Sequence, residues 1–197
     1  LNSLIRFETL LTATQYFSYA TAGIPYMGVG RNLAYTAQLY YDINGYMSHI
    51  QLPSGDDDLF VNESATKHNV AVCFSEESFT ISEPKTTFKS WLHQKRRHLT
   101  TATLYKPKHK FLLGFYYTAN FLFWLLLPVC LFFGSWEATL IIFTTRILFQ
   151  YIIIGKSAKK LKEDNLIPVI PLLELFLLWV QLSIFILNSN EKPTRWK

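Results

Sequence analysis

Charge is scarce in this chain of 197 residues: Asp, Glu, Lys and Arg make up 17%, against roughly 25% in an average soluble protein. Cysteine is nearly missing. The two present, Cys73 and Cys130, exclude a secreted disulfide scaffold, the more so because Cys130 lies inside an apolar run. No signal-peptide n-region or cleavage site follows Leu1, and the chain reads as the C-terminal piece of something longer. A P-loop, zinc-ligand spacing, a Ser-His-Asp arrangement, internal repeats and low-complexity stretches are all missing. Apolar mass is abundant, with 50% hydrophobic and 16% aromatic residues. That excludes disorder and leaves room for one or two domains.

The chain divides near residue 110. Residues 1–110 carry 11 Lys/Arg and 9 Asp/Glu, whereas FLLGFYYTANFLFWLLLPVCLFFG, 111–134, carries no charge. A helix of that length, at 1.5 Å per residue, crosses a hydrocarbon layer of roughly 30 Å. A second run, 138–154, contains Arg146 and Gln150; a third, 166–187, contains Glu174, with Pro168 and Pro171 in its first turns, where a missing N–H costs least. These runs predict three transmembrane helices and a short tail, 188–197. The bland alternative is a buried helical hairpin in a soluble domain.

Basic residues set the expected orientation. Lys85, Lys89, Lys95, Arg96, Arg97, Lys106, Lys108 and Lys110 precede the first run without an acid among them, and Lys156, Lys159, Lys160 and Lys162 follow the second. Residues 1–110 and 155–165 are therefore expected in the cytoplasm. The GSWE link, 134–137, and the tail then face out, although the tail carries Lys192, Arg195 and Lys197. Arg146 and Glu174 each lie eight residues from the cytoplasmic end of their run, at Ile154 and Leu166. Similar depth and the cost of an unpaired intramembrane charge predict contact between them, Gln181 being the other polar partner for Arg146.

The part before residue 110 reads as mixed α/β. LNSLIRFETLLTATQYFSYATAG has helical spacing and a stop at Gly23. PYMGVGRNLAYT reads as a Gly-rich loop entering a strand, TAQLYYDING as a short helix, and LFVNESATKH as another. VAVCF, 70–74, and FTISE, 79–83, read as strands. TTFKSWLHQKRRHLTTATLY reads as a basic amphipathic helix.

Three constellations can carry chemistry. In Ser54-Gly55-Asp56-Asp57-Asp58-Leu59-Phe60 the adjacent carboxylates repel, so one should have a raised pKa unless compensated. Gly55 permits a sharp turn, and Asp56 or Asp57 can cap the next helix. A carboxylate fixed there suits a general base; an acidic surface cap is the plain reading. In Gln94-Lys95-Arg96-Arg97-His98, Gln94 and Arg97 share a helix face at i, i+3. An amide plus a guanidinium can grip a diphosphate; attraction to anionic lipid explains the patch equally. In Gly28-Val29-Gly30-Arg31-Asn32 two glycines allow close backbone approach to a ligand, or simply make a turn. The sequon Asn62-Glu63-Ser64 would be cytoplasmic and is set aside.

Together these pieces resemble the C-terminal half of a membrane-bound family 2 glycosyltransferase, of the cellulose and hyaluronan synthase-like superfamily. GIPYMGVGRNLAYTAQLYYDINGY resembles its Gly-rich acceptor-side segment, ending in a Gly-aromatic pair, Gly45-Tyr46. SGDDDLF resembles the acidic motif with the catalytic base, and QKRRH the Q-x-x-R-W motif, matching at Gln94 and Arg97. The resemblance covers about residues 20–100. It implies the C-terminal part of a GT-A-type domain over 1–110, then the membrane helices. It implies an inverting transfer from a nucleotide-diphosphate sugar to a lipid-linked or saccharide acceptor, with membrane lipids as further partners and no nucleic acid. Asp56 or Asp57 would be the base, Asp58, Gly28, Gly30 and His98 the acceptor side, and Gln94 and Arg97 the diphosphate grip. His98 stands where the family has Trp, so processivity is not implied. The D-x-D motif that would hold Mg or Mn in the full-length protein is not in this chain, where Asp42 is the first Asp. The chain alone is accordingly expected to be inactive. A bacterial inner membrane is the expected location. The rivals are a non-catalytic membrane anchor or assembly subunit and a small transporter-like bundle using Arg146 and Glu174.

Overall fold

The computed structural model describes residues 1–52 and 54–190. Every regular element among the described residues is helical: α1 (Asn2–Thr21), α2 (Ala37–Asp42), α3 (Asp58–Ser64), α4 (Phe88–Ala102), α5 (Pro107–Phe133), α6 (Trp136–Lys160) and α7 (Ile170–Asn190), with three short 3-10 segments. No strand or sheet occurs among them, which overturns the α/β, partial GT-A-type expectation. VAVCF and FTISE carry no regular structure and lie on either side of a 3-10 turn, Glu76–Ser78. Their side chains favour strands, but a strand needs a paired and half-buried ribbon. Here Ile81 is 99% exposed and Val70 and Phe74 are exposed too. The Gly-rich segment meets this region through side chains instead of a ladder: Arg31 donates to Ser82 Oγ (2.8 Å) and Asn32 Nδ2 to the Ser78 carbonyl (2.9 Å).

The helices follow local signals. α1 ends in paired bonds from Ile24 N to Tyr19 O (2.8 Å) and Gly23 N to Ala20 O (3.0 Å), a Schellman closure. Thr36, Thr87 and Ser135 cap α2, α4 and α6 with side-chain oxygens, and Pro107 occupies the first turn of α5. α1 buries Leu4, Phe7, Leu10 and Leu11 at helical spacing. They share one core with Trp91 of α4, Ile154 and Ala158 of α6, and Ile170, Leu177, Val180 and Ile184 of α7. Residues on both sides of position 110 thus pack together. Arg6 pairs with Glu163 and donates to Asn165 (2.7 Å), and Lys95 pairs with Glu8 (2.5 Å).

Three helical segments, Pro107–Phe133, Trp136–Lys160 and Asp164–Ser189, are long and apolar enough to cross a membrane. The outward faces of α5 and α6 are apolar, with Phe132 83% and Phe133 88% exposed, as lipid contact requires. Arg146 meets Glu174, as the equal offsets predict: Nη2 lies 2.7 Å from Glu174 Oε2 and 2.6 Å from Asn120 Oδ1. Trp124 Nε1 also donates to Glu174 (3.2 Å), and the guanidinium lies 4.8 Å from the Phe123 ring centre. The last part of the tail, 191–197, lies outside the described residues.

Candidate active site

Three adjacent aspartates enter α3, and the turn before it sends them different ways. Gly55 has φ +118, and a Cβ there would sit 2.6 Å from Leu59 Cδ1, so glycine is required by both backbone and space. Asp58 is buried. Its Oδ1 accepts from Leu59 N (2.8 Å), and its Oδ2 accepts from Thr101 Oγ1 (2.5 Å) and the Tyr105 hydroxyl (2.7 Å). Asp57 is half-buried, with Oδ1 accepting from Asp58 N and Oδ2 from Gly30 N, both at 2.8 Å. Asp56 is exposed and has no hydrogen-bond or ion-pair partner among the described residues. Two of the three carboxylates are therefore committed to structure and one is left for solvent or a ligand.

Burial raises the pKa of Asp58, and the Asp57 charge adds to this; the Thr101 and Tyr105 hydroxyls and Leu59 N pull the other way without cancelling it. Between its ordinary 3.8 and that raised value, the folded chain holds a proton that the unfolded chain has released. Stability must therefore fall as pH rises through this window and level off above it. Melting curves from about pH 4 to 7 should show that Asp58→Asn flattens this segment of the stability profile. Parallel profiles for the two proteins would show that Asp58 titrates as an ordinary carboxyl.

The Asp58 cluster clips the start of α3 to the last turn of α4. Arg97 is one turn before Thr101 and Gln94 nearly one turn before that, so the i, i+3 face is anchored beside the acidic turn. Gln94 and Arg97 are half-buried; His98 is exposed, and its carbonyl oxygen lies 2.8 Å from Thr101 Oγ1. The Gly-rich segment comes in from the other side. Gly30 donates its N–H to Asp57, and a Cβ there would lie 3.2 Å from the same carboxylate oxygen. Gly28 packs against Leu33 and Val61. Gly30, Asp57, Asp58 and Thr101 are thus brought into one connected hydrogen-bond set. Behind it lies a cavity of about 170 Å³, whose lining includes Tyr16, Met27, Gly28, Leu39 and Val61.

Next to the turn, Tyr35, Tyr40 and Tyr46 surround Phe60, with ring centres 4.3, 6.2 and 5.7 Å from it. The Tyr35 and Tyr46 hydroxyls are 2.5 Å apart. The Tyr46 phenol is pushed up to about 12, first by this hydrogen bond, then by burial, with the Asp56 charge contributing. The tyrosines are amphipathic surfaces with polar tips.

Several site residues escape a sequence reading. Thr101 and Tyr105 lie 43 and 47 residues from the carboxylate they hold. Asn62, the sequon residue, is 3% exposed. It donates to the Tyr26 carbonyl (2.7 Å), accepts from Lys106 N (2.9 Å) and meets His109 Nδ1 (2.9 Å). Its i, i+4 spacing from Asp58, within an otherwise apolar stretch, was the available signal. His49 is also buried, with Nδ1 2.8 Å from Ser48 Oγ, which donates to Glu63 (2.6 Å).

Among the described residues no three His, Cys, Asp or Glu side chains converge as metal ligands. The described residues therefore form no site for a divalent ion. Compared with known proteins, the chain matches no family model, no curated protein and no solved structure.

Proposed function

We propose that this chain carries the acceptor-activating and diphosphate-holding part of a membrane-bound inverting glycosyltransferase. The donor is a nucleotide-diphosphate sugar and the acceptor a lipid-linked or saccharide hydroxyl. One observation carries the reading: of three adjacent carboxylates only Asp56 is uncommitted, and it sits on a turn clipped through Asp58 to the helix bearing Gln94 and Arg97. Asp56 takes the acceptor proton as general base. The acceptor oxygen bonds to the anomeric carbon from the face opposite the diphosphate, and the carbon–oxygen bond to the diphosphate breaks with its electron pair. Arg97 and Gln94 hold the departing oxygens by charge-assisted and amide hydrogen bonds. The Tyr35–Tyr46 surface holds the acceptor beside the base. The basic stretch before α5 and the link after α6 lie on the cytoplasmic side of a bacterial inner membrane.

Arg97 supplies the direct test. In the full-length enzyme Arg97→Ala should weaken inhibition by the nucleoside diphosphate product about 10- to 100-fold, as loss of a charged hydrogen bond worth about 1.5–3 kcal/mol requires. An unchanged inhibition constant would remove Arg97 from the diphosphate site. Residues 1–197 alone should show no calorimetric binding of nucleoside diphosphates at about millimolar ligand, a binding free energy weaker than about −4 kcal/mol. Tight binding to this piece would mean that the donor site lies within it.

A further inference from the structure

Hydropathy makes α7 a third crossing, and successive crossings alternate in direction. The contacts do not let α7 run alongside the other two as a third span. α6 meets α5 in reverse order: Thr139 lies 3.3 Å from the Cys130 carbonyl, Phe143 stacks on Phe123, and Arg146 bonds Asn120. α7 also meets α5 in reverse order: Glu174 bonds Trp124, Trp179 meets Phe121, and Phe185 meets Tyr117. α7 meets α6 in reverse order as well, Tyr151 reaching the Pro168 carbonyl and Arg146 bonding Glu174; a helix reversed against both members of an antiparallel pair runs along neither and crosses them at a steep angle. The link between them folds straight back, with Glu163 N bonded to Ala158 O (2.8 Å) and Leu166 and Ile170 packed with Ile154 and Ala158. It does not return the chain across a bilayer.

The far end of α7 agrees. Asn188 Oδ1 accepts from Arg96 Nε (2.8 Å), and Asn188 Nδ2 donates to the Arg96 carbonyl (3.0 Å). α4 carries Lys89, Lys95, Arg96 and Arg97 and cannot enter hydrocarbon without great cost. A crossing α7 of 21 residues would put Asn188 roughly 30 Å away, on the opposite side. The half of the α5–α6 hairpin distal to α4 is left without cover: Leu125, Leu131, Trp136 and Ile141 are all about half exposed or more.

We propose that only α5 and α6 cross the membrane, and that α7 lies within the leaflet on the α1–α4 side. Its interaction surface is the stripe Leu172, Phe176, Trp179 and Ile186, 52–69% exposed, which falls on one helix face. Its partner is the hydrocarbon of that leaflet. The opposite face, Leu177, Val180 and Ile184, shares the core with α1. An amphipathic placement of this kind is how a helix anchors in one leaflet.

Topology is read without any activity, so this inference stands or falls separately from the transferase reading. In the full-length protein with Cys73→Ser and Cys130→Ser, a single Ser135→Cys should react with a membrane-impermeant maleimide applied to the outer face. Ser189→Cys should react only after permeabilisation. Green fluorescent protein fused after Asn190 should fluoresce, and alkaline phosphatase fused there should be inactive. Labelling of Ser189→Cys from the outer face, or an active phosphatase fusion, would make α7 a third crossing and overturn the proposal.

Discussion

Asp56→Asn in the full-length enzyme should lower turnover about 10²–10⁴-fold, the usual cost of losing a general base, with donor binding nearly unchanged. The amide keeps the shape of the side chain but cannot accept the acceptor's proton. Because Asp56 is exposed and bonded to nothing among the described residues, its melting curve should stay within about 0.5 kcal/mol of wild type. Asp57→Asn should show the reverse pattern. Both Asp57 oxygens accept backbone N–H groups, from Gly30 and Asp58. An amide can satisfy only one and turns a donor toward the other, at about 1–3 kcal/mol, with a smaller effect on rate. A kinetic panel with matched melting curves separates these outcomes. Turnover lost in Asp57→Asn and kept in Asp56→Asn would move the base by one residue. Near-normal turnover in both would end the transferase reading and leave a non-catalytic membrane anchor or assembly subunit.

Glu174→Leu should cost about 3–5 kcal/mol, because it strands a charge among apolar helices. Glu174 is 4% exposed and takes bonds from Arg146 and Trp124. Without it the guanidinium keeps Asn120 and the Phe123 ring face, which offer no compensating negative charge. Replacing both partners, Glu174→Leu with Arg146→Leu, should recover most of the loss, since a buried pair is costly mainly when broken. Thermal unfolding in detergent for the two single variants and the double completes a cycle. A loss in the double variant equal to the sum of the two single losses would show that water already screens the pair. The cost of an isolated charge among apolar helices called for that contact, and the chain's return after α6, with Leu166 and Ile170 in one core with Ile154, brings Glu174 beside Arg146.

Local signals proved sufficient for most helix boundaries. Gly23, Thr36, Thr87 and Pro107 each act on backbone groups within a turn of themselves, so their effects are readable along the chain. The 70–74 and 79–83 segments failed as strands for the opposite reason. Their β-branched and aromatic side chains state a preference, but a strand exists only when another ribbon supplies its hydrogen bonds, and none does among the described residues.

The three long apolar helices and the candidate residues themselves were likewise legible as composition: apolar runs of spanning length, three carboxylates after a glycine, and an amide and a guanidinium on one helix face. Which carboxylate is free was decided by partners 27 and 43 residues away, Gly30 and Thr101. No spacing rule reaches that far. The placement of α7 was decided in the same way. Hydropathy counts apolar residues without regard to which end of a helix faces which neighbour. The placement of α7 is set by Arg96 meeting Asn188, by its reversed contacts with both α5 and α6, and by the core it shares with α1.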